Sequence, residues 1–218
     1  MEKNLKKAYY IIIGILILLF FNKEEEEFYK NIKLIKNPDD ILVLVNKNNQ
    51  LPSNYMPKEL ESISLKYANK DKYLKKVAKI AFETLSEDAA KLGYCIIAVS
   101  AYRDYNYQNE LFNYYIKEKG IDYALDCSAK PGHSEHQSGL AVDVEGSNKD
   151  YDNFENSKEF IWMKNNAHKY GFILRYPKGK EHITGFKYEP WHYRYVGIKV
   201  AKYIYENNLT LEEYLKKI

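Results

Sequence analysis

The sequence predicts an α+β fold: a small central sheet, mostly antiparallel, with helices packed against it. Two observations predict it, and the length allows it. Helical and strand-like patterns do not alternate as parallel βαβ units would. The late strand-like runs lie close together, joined by segments too short for crossover helices. At 218 residues the chain is long enough to bury a core without staples.

Residues 8–21 form an unbroken run of fourteen residues, apolar or aromatic apart from Gly14. Lys3, Lys6 and Lys7 precede it, and Asn22, Lys23 and four glutamates follow. A basic head before an apolar run is the pattern of an export signal. The lysine bias places the N-terminus in the cytoplasm and the remainder outside. As a helix the run spans about 21 Å, short of the roughly 30 Å hydrocarbon core, which suits a signal peptide. No small-x-small cleavage site follows it, which favours an uncleaved signal anchor. The expected division is therefore 1–23 signal anchor or signal peptide, 24–40 charged tether and 41–218 a single domain.

Within the domain, ILVLV over 41–45 is a β-branched run ended by Asn46-Lys47-Asn48-Asn49, which predicts a strand and a turn. The clearest helix is 71–92, where Leu74, Val77, Ala78, Ala81, Phe82, Leu85, Ala89 and Leu92 recur at helical spacing. Gly93 ends it. A buried strand follows over 94–100. Asp104 is placed to cap a second helix over 105–119, closed by Gly120. Residues 126–138 read as a loop rich in Ser, Gly, Pro and His. Leu140, Val142 and Val144 alternate with Ala141, Asp143 and Glu145, the period of a strand. Ser157 is expected to cap a helix over 158–169, with a strand at 172–176 beyond Gly171. Residues 186–192 are extended around Pro190, and helices are expected over 196–207 and 209–218.

Composition removes some functions. Net charge is +3, and the first 21 residues hold three lysines and one glutamate. The rest carries 30 basic against 29 acidic residues, dispersed and interleaved. That leaves no basic field for nucleic acid. The 22 tyrosines suit half-buried strands and also grooves that bind polar ligands. Export would permit a disulfide, but nothing in their spacing brings Cys95 and Cys127 together, and both are expected to be unpaired.

The chemistry concentrates in two stretches, GHSEHQSGLAVD over 132–143 and YEPWHYR over 188–194. A catalytic zinc site takes three protein ligands and leaves a position for water. His136, Asp143 and His192 are the candidate ligands. Asp143 lies on the alternating strand, and an ionised carboxylate on a sheet face needs a partner such as a metal. Glu189 precedes His192 by three, so a bend at Pro190 and Trp191 is required for both to face one point. Glu189 is the candidate general base. Arg103 is placed to bind a substrate carboxylate or a developing oxyanion. His133 is read as loop support, and His168 and His182 as surface residues.

SEHQSGLAVD, from Ser134, resembles the SxHxxGxAxD motif of the VanY-type D-alanyl-D-alanine carboxypeptidases. EPWHYRYVG, from Glu189, resembles that family's second motif. SAYRDYNYQ from Ser100 and RYPKGKEHITG from Arg175 extend the likeness, which spans roughly 41–207. The resemblance implies a hedgehog-like α+β fold. It implies zinc held by His136, Asp143 and His192, Glu189 as base, and Arg103 as substrate anchor or oxyanion stabiliser. It also implies that Ser134 and Gln108 line the pocket for the terminal carboxylate. The implied substrate is a peptidoglycan stem peptide ending in D-Ala-D-Ala, cut outside the membrane; the chain is expected to be a monomer. Alternatives are an L,D-carboxypeptidase acting on tetrapeptide stems and a non-catalytic, zinc-containing wall-binding module.

Overall fold

The computed structural model describes residues 28–151 and 153–218. The expected signal segment, 1–23, lies outside them, as do the first residues of the expected tether. Among the described residues, no helix is long and apolar enough to cross a membrane.

In chain order the first strands are β1 (Lys33–Leu34), β2 (Asn49–Gln50), β3 (Leu60–Ser62) and β4 (Tyr73–Lys75), followed by helix α1 (Lys76–Lys91) and β5 (Ile97–Ser100). Then come α2 (Tyr105–Lys119), α3 (Ile121–Cys127), a 3-10 turn Glu135–Ser138 and β6 (Ala141–Glu145). The remainder is a 3-10 turn Phe154–Asn156, α4 (Lys158–Asn166), a 3-10 turn Ala167–Tyr170, β7 (Phe172–Leu174), α5 (Glu181–Thr184), β8 (His192–Tyr195), α6 (Ile198–Glu206) and α7 (Leu211–Leu215).

The central sheet has the order β5-β6-β8-β7, and all three pairings are antiparallel. Val142 and Val144 of β6 are fully buried, in the same core as Phe82, Leu85 and Ala89 of α1. These helix residues recur every three to four positions and make one stripe, while Val77, Ile80 and Leu92 stay exposed. Truncating Phe82 to alanine would cost about 3–5 kcal/mol through lost burial and a residual cavity. Two further two-stranded pieces flank the sheet: β1-β2, which is parallel, and β3-β4, which is antiparallel.

Several elements differ from the sequence expectation, and the largest differences lie where long-range partners outbid local pattern. The clearest helix begins at Lys76, because 73–75 pair with β3 instead. Tyr73 and Lys75 also exchange backbone bonds with Tyr102 and Gly139. The run 41–45 is no strand. Ile41 and Val43 turn their carbonyls to the Arg194 guanidinium at 2.9 and 2.8 Å. Residues 28–40 are not a free tether: β1 pairs with β2, and the Tyr29 amide donates to Asn48 Oδ1. α2 matches its expected range, with Asp104 Oδ1 accepting from the Tyr107 amide. Both cysteines are free, Cys95 being exposed and Cys127 half-buried.

Candidate metal centre

Sheet register builds the site. Asp143 stands opposite His192 on the neighbouring strand, and opposite Ser100 on its other side. Directly opposed residues share a face with side chains close together. His136 arrives from the 3-10 turn, whose first amides Ser134 helps to satisfy by accepting from His136 N. Gly139 then takes a left-handed conformation, φ 68°, that turns the chain into β6. A Cβ there would sit 3.0 Å from Leu60 Cδ2 and 3.3 Å from the Lys75 amide nitrogen. Pro190 and Trp191 make the bend expected of them: His192 N bonds back to Glu189 O, so both side chains reach the same cleft.

One ligand atom from each of His136, Asp143 and His192 lies within 4.8 Å of the others, and all three residues are buried. His136 Nδ1 lies 2.5 Å from Ala101 O. That fixes the proton on Nδ1 and turns the Nε2 lone pair to the centre, 3.2 Å from Asp143 Oδ2. His192 is the mirror case. Its Nε2 lies 3.4 Å from Glu135 Oε2, while Nδ1 approaches Asp143 Oδ1 at 2.9 Å and Glu189 Oε2 at 3.6 Å. Despite that approach, Asp143 Oδ1 is buried without an aligned hydrogen-bond donor. An orphaned carboxylate oxygen among two imidazole nitrogens is a donor set that fits a zinc ion.

The electrostatics agree. Burial pushes the Asp143 carboxyl up, but His136 and His192 outweigh it and hold it well below the usual range. Burial and the Arg103 charge push His136 down to about 4, so it is neutral at pH 7. Burial would lower His192, yet Asp143, Glu135 and Glu189 raise it to about 9. Three carboxylates around one imidazole thus call for positive charge at this point. Glu189 is pushed up to about 7 by burial, against the pull of His192 and with the help of Asp143.

The other expected residues divide. Arg103 lines the cleft, with Nη1 3.0 Å from Ser100 Oγ and 3.9 Å from Asp143 Oδ2. Its Nε is buried without a partner. Ser134 also lines the cleft. Gln108 does not; it stands behind the wall, its amide donating to Ser128 Oγ and Ala129 O at 3.1 and 2.8 Å. His133 is buried and bonded through Nδ1 to Asn46 O. The cavity, about 120 Å³, is also lined by Tyr115, Cys127, Tyr151 and Trp191. The last two rings pack at 4.4 Å between centres, tilted by 33°.

Sequence reasoning missed Glu135, Arg175 and Arg194. Glu135 Oε1 accepts from Arg175 Nε at 2.8 Å and from Arg194 Nη1 at 2.6 Å, and all three side chains are fully buried. The one available signal was its position between Ser134 and His136, inside the motif.

A protein-family model described as "VanY: D-alanyl-D-alanine carboxypeptidase" matches residues 71–198, more than half of the chain. The chain belongs to this family. Among known proteins it is 44% identical over 194 residues to the putative carboxypeptidase YodJ of Bacillus subtilis, covering 86% of this chain and 71% of that one. Among solved structures it is similar to the LdcB LD-carboxypeptidase, a structure described as revealing the basis of peptidoglycan recognition. There the TM-score is 0.81 at 43% identity, over 87% of this chain and 92% of the other. It is also similar to a vancomycin-resistance D,D-pentapeptidase VanY solved with Zn(II). In that case the TM-score is 0.70 at 35% identity, over 80% and 98% of the two chains. Family membership makes the chain a carboxypeptidase, on an α+β fold shared with the VanY and LdcB structures.

Proposed function

We propose that the chain is a zinc carboxypeptidase that removes the terminal D-alanine from peptidoglycan stem peptides. The observation that carries this reading is the convergence of His136, Asp143 and His192 on one buried point, with the Glu189 carboxylate 3.6 Å from His192 Nδ1. His136 Nε2, Asp143 and His192 Nδ1 would hold the metal. When bound there, zinc supplies Lewis acidity to the scissile carbonyl and to water. Glu189 takes the proton from the attacking water and passes it to the leaving amine as the C–N bond breaks. Arg103 offers its guanidinium to the terminal carboxylate or to the developing oxyanion. Ser134, beside it in the cleft, is assigned to the same carboxylate. Gln108 acts one layer back, by holding the Ser128–Ala129 wall.

An intact carboxylate at Glu189 argues against a purely wall-binding module, since a structural zinc site needs no base. A second reading has a specific observation in its favour: the LdcB likeness exceeds the VanY likeness in both TM-score and identity. In that reading the chain is an L,D-carboxypeptidase on tetrapeptide stems. A digest separates the two. The protein is incubated with zinc and either a pentapeptide ending in D-Ala-D-Ala or the tetrapeptide, and products are read by mass spectrometry. Loss of one alanine from the pentapeptide alone supports the D,D activity. Loss from the tetrapeptide supports the second reading, and cleavage of neither, with zinc bound, overturns both. Residues 1–23 are proposed to export the domain and anchor it at the outer face of the membrane. Recovery of the chain in the cytoplasmic fraction would overturn that part.

A further inference from the structure

We propose that Glu212, on the C-terminal helix α7, is a positioning residue for the metal centre, acting on His192 through Arg175 and Glu135. The proposal rests on the reading of His136, Asp143 and His192 as a metal site. It concerns a residue 14 positions beyond the segment that the family model matches.

The connection is continuous. His192 Nε2 faces Glu135 Oε2 at 3.4 Å. The other oxygen of Glu135 is held by Arg175 Nε and Arg194 Nη1 at 2.8 and 2.6 Å. Arg175 then uses its two remaining nitrogens on Glu212, Nη1 to Oε2 at 2.9 Å and Nη2 to Oε1 at 2.7 Å. Two-pronged pairs of this kind fix orientation as well as charge. The whole string is out of solvent: Arg175 and Arg194 are 0% exposed, Glu135 1% and Glu212 4%. Two guanidinium groups face two carboxylates, so it is charge-balanced.

The balance is what gives Glu212 its reach. Arg194 is already committed to Ile41 O, Val43 O and Tyr195 O, so it cannot compensate for a change at Arg175. Without the Glu212 charge, Arg175 has Glu135 as its sole carboxylate. It then draws Glu135 toward itself and away from His192, and the surroundings of the metal become more positive by one charge. Both effects weaken a cation site. Glu212 is itself placed with care: Asn46 Nδ2 donates to Oε1 at 3.3 Å, Leu211 beside it is fully buried, and a reciprocal cap between Thr210 and Glu213 starts α7.

The alternative is that Glu212 merely fastens α7 to the sheet. Zinc affinity separates the two, because a fastening lost far below the melting temperature changes stability and not the metal constant. The full chain is measured at 25 °C by competition with a chromophoric chelator, with metal-free melting in parallel. Glu212→Gln is expected to weaken zinc about tenfold, and Glu135→Gln by up to about 100-fold, the range found for groups that orient metal-binding histidines. The double variant should be weaker than Glu135→Gln alone by clearly less than the Glu212→Gln effect, since only the charge part remains. Glu213→Ala, which removes the α7 cap partner and the Lys180 pair, should lower the melting temperature and leave the zinc constant unchanged. If Glu212→Gln does not fold, Arg175→Lys, which keeps both charges and removes the two-pronged pair, is read in the same way. Unchanged zinc affinity in Glu212→Gln overturns the proposal, as does an additive double variant. A native chain that binds no zinc overturns both the proposal and the site reading beneath it.

Discussion

Asp143 Oδ1, buried and without an aligned donor, is the atom on which the site turns. Arg103 Nε shares that condition, although buried polar atoms are generally paired. Glu189, beside the three proposed ligands, has its carboxyl raised to about 7 by burial, near the range where proton transfer in both directions is efficient. Glu189→Gln should therefore keep zinc and lose about 10²–10⁴-fold in kcat; turnover within a few-fold of the native chain, at full zinc content, would remove it from the role of base. Glu135 gives a prediction in pH. Burial pushes its carboxyl up, but Arg175 and Arg194 outweigh that and hold it well below its ordinary 4.5. The unfolded chain therefore binds the proton first. The stability from Glu135 is fully present above about pH 4.5 and is lost as pH falls toward the depressed native value. Glu135→Gln should cost about 3–5 kcal/mol at pH 7 by leaving the buried Arg194 guanidinium without its carboxylate. It should also flatten the fall of melting temperature below pH 4.5. An equally steep acid limb in the variant would count against the ion pairs.

At the scale of elements, the 3-10 turn and β6 act as one device for setting His136 beside Asp143. Gly139 is its hinge, in a conformation that costs a side chain, and pressed against Leu60 and the backbone of β4. Gly139→Ala should lose about 1–3 kcal/mol, read as a lower metal-free melting temperature. Because strain there moves His136 relative to Asp143, zinc affinity should fall with it. A variant with native melting and native zinc binding would show that the turn tolerates a Cβ. The β6-β8 pairing is the other device, since its register alone makes Asp143 and His192 neighbours. A slip of one residue would turn every side chain of β8 to the opposite face.

For the whole molecule, the residues that follow the run of four glutamates at 24–27 are part of the fold. Phe28 and Tyr29 cover Lys47, whose ammonium lies 5.6 and 5.5 Å from their ring centres. Ile41 and Val43 supply the carbonyls that hold Arg194. A chain beginning at residue 28 should melt cooperatively, whereas one beginning at residue 48 should not, because Arg194 and Lys47's surroundings lose their partners together. A cooperative transition in the shorter chain, followed by circular dichroism, would contradict this. Zinc should stabilise the whole: at free metal 1,000-fold above its Kd, about 4 kcal/mol is gained by binding the folded state alone. A chelator should reverse that gain as a fall in melting temperature, and no change on chelation would speak against a metal bound to the native fold.

What the sequence determined by itself is what depends on near neighbours. α2 with its Asp104 cap, the alternation that buries Val142 and Val144, the bend at Pro190 and the two dense motifs are all settled within a few residues of one another. The same local density marked His136, Asp143, His192 and Glu189 as candidates. Tertiary structure decided what depends on partners far along the chain. It withheld a strand from 41–45 by giving its carbonyls to Arg194, took 73–75 from α1 for pairing with β3, and set Gln108 behind the cavity wall. It also made Glu135 the meeting point of Arg175, Arg194 and His192. Periodicity reports which face of an element is apolar, whereas a buried charge is tolerable only with its counter-charge, and that partner is known only once the chain has closed on itself.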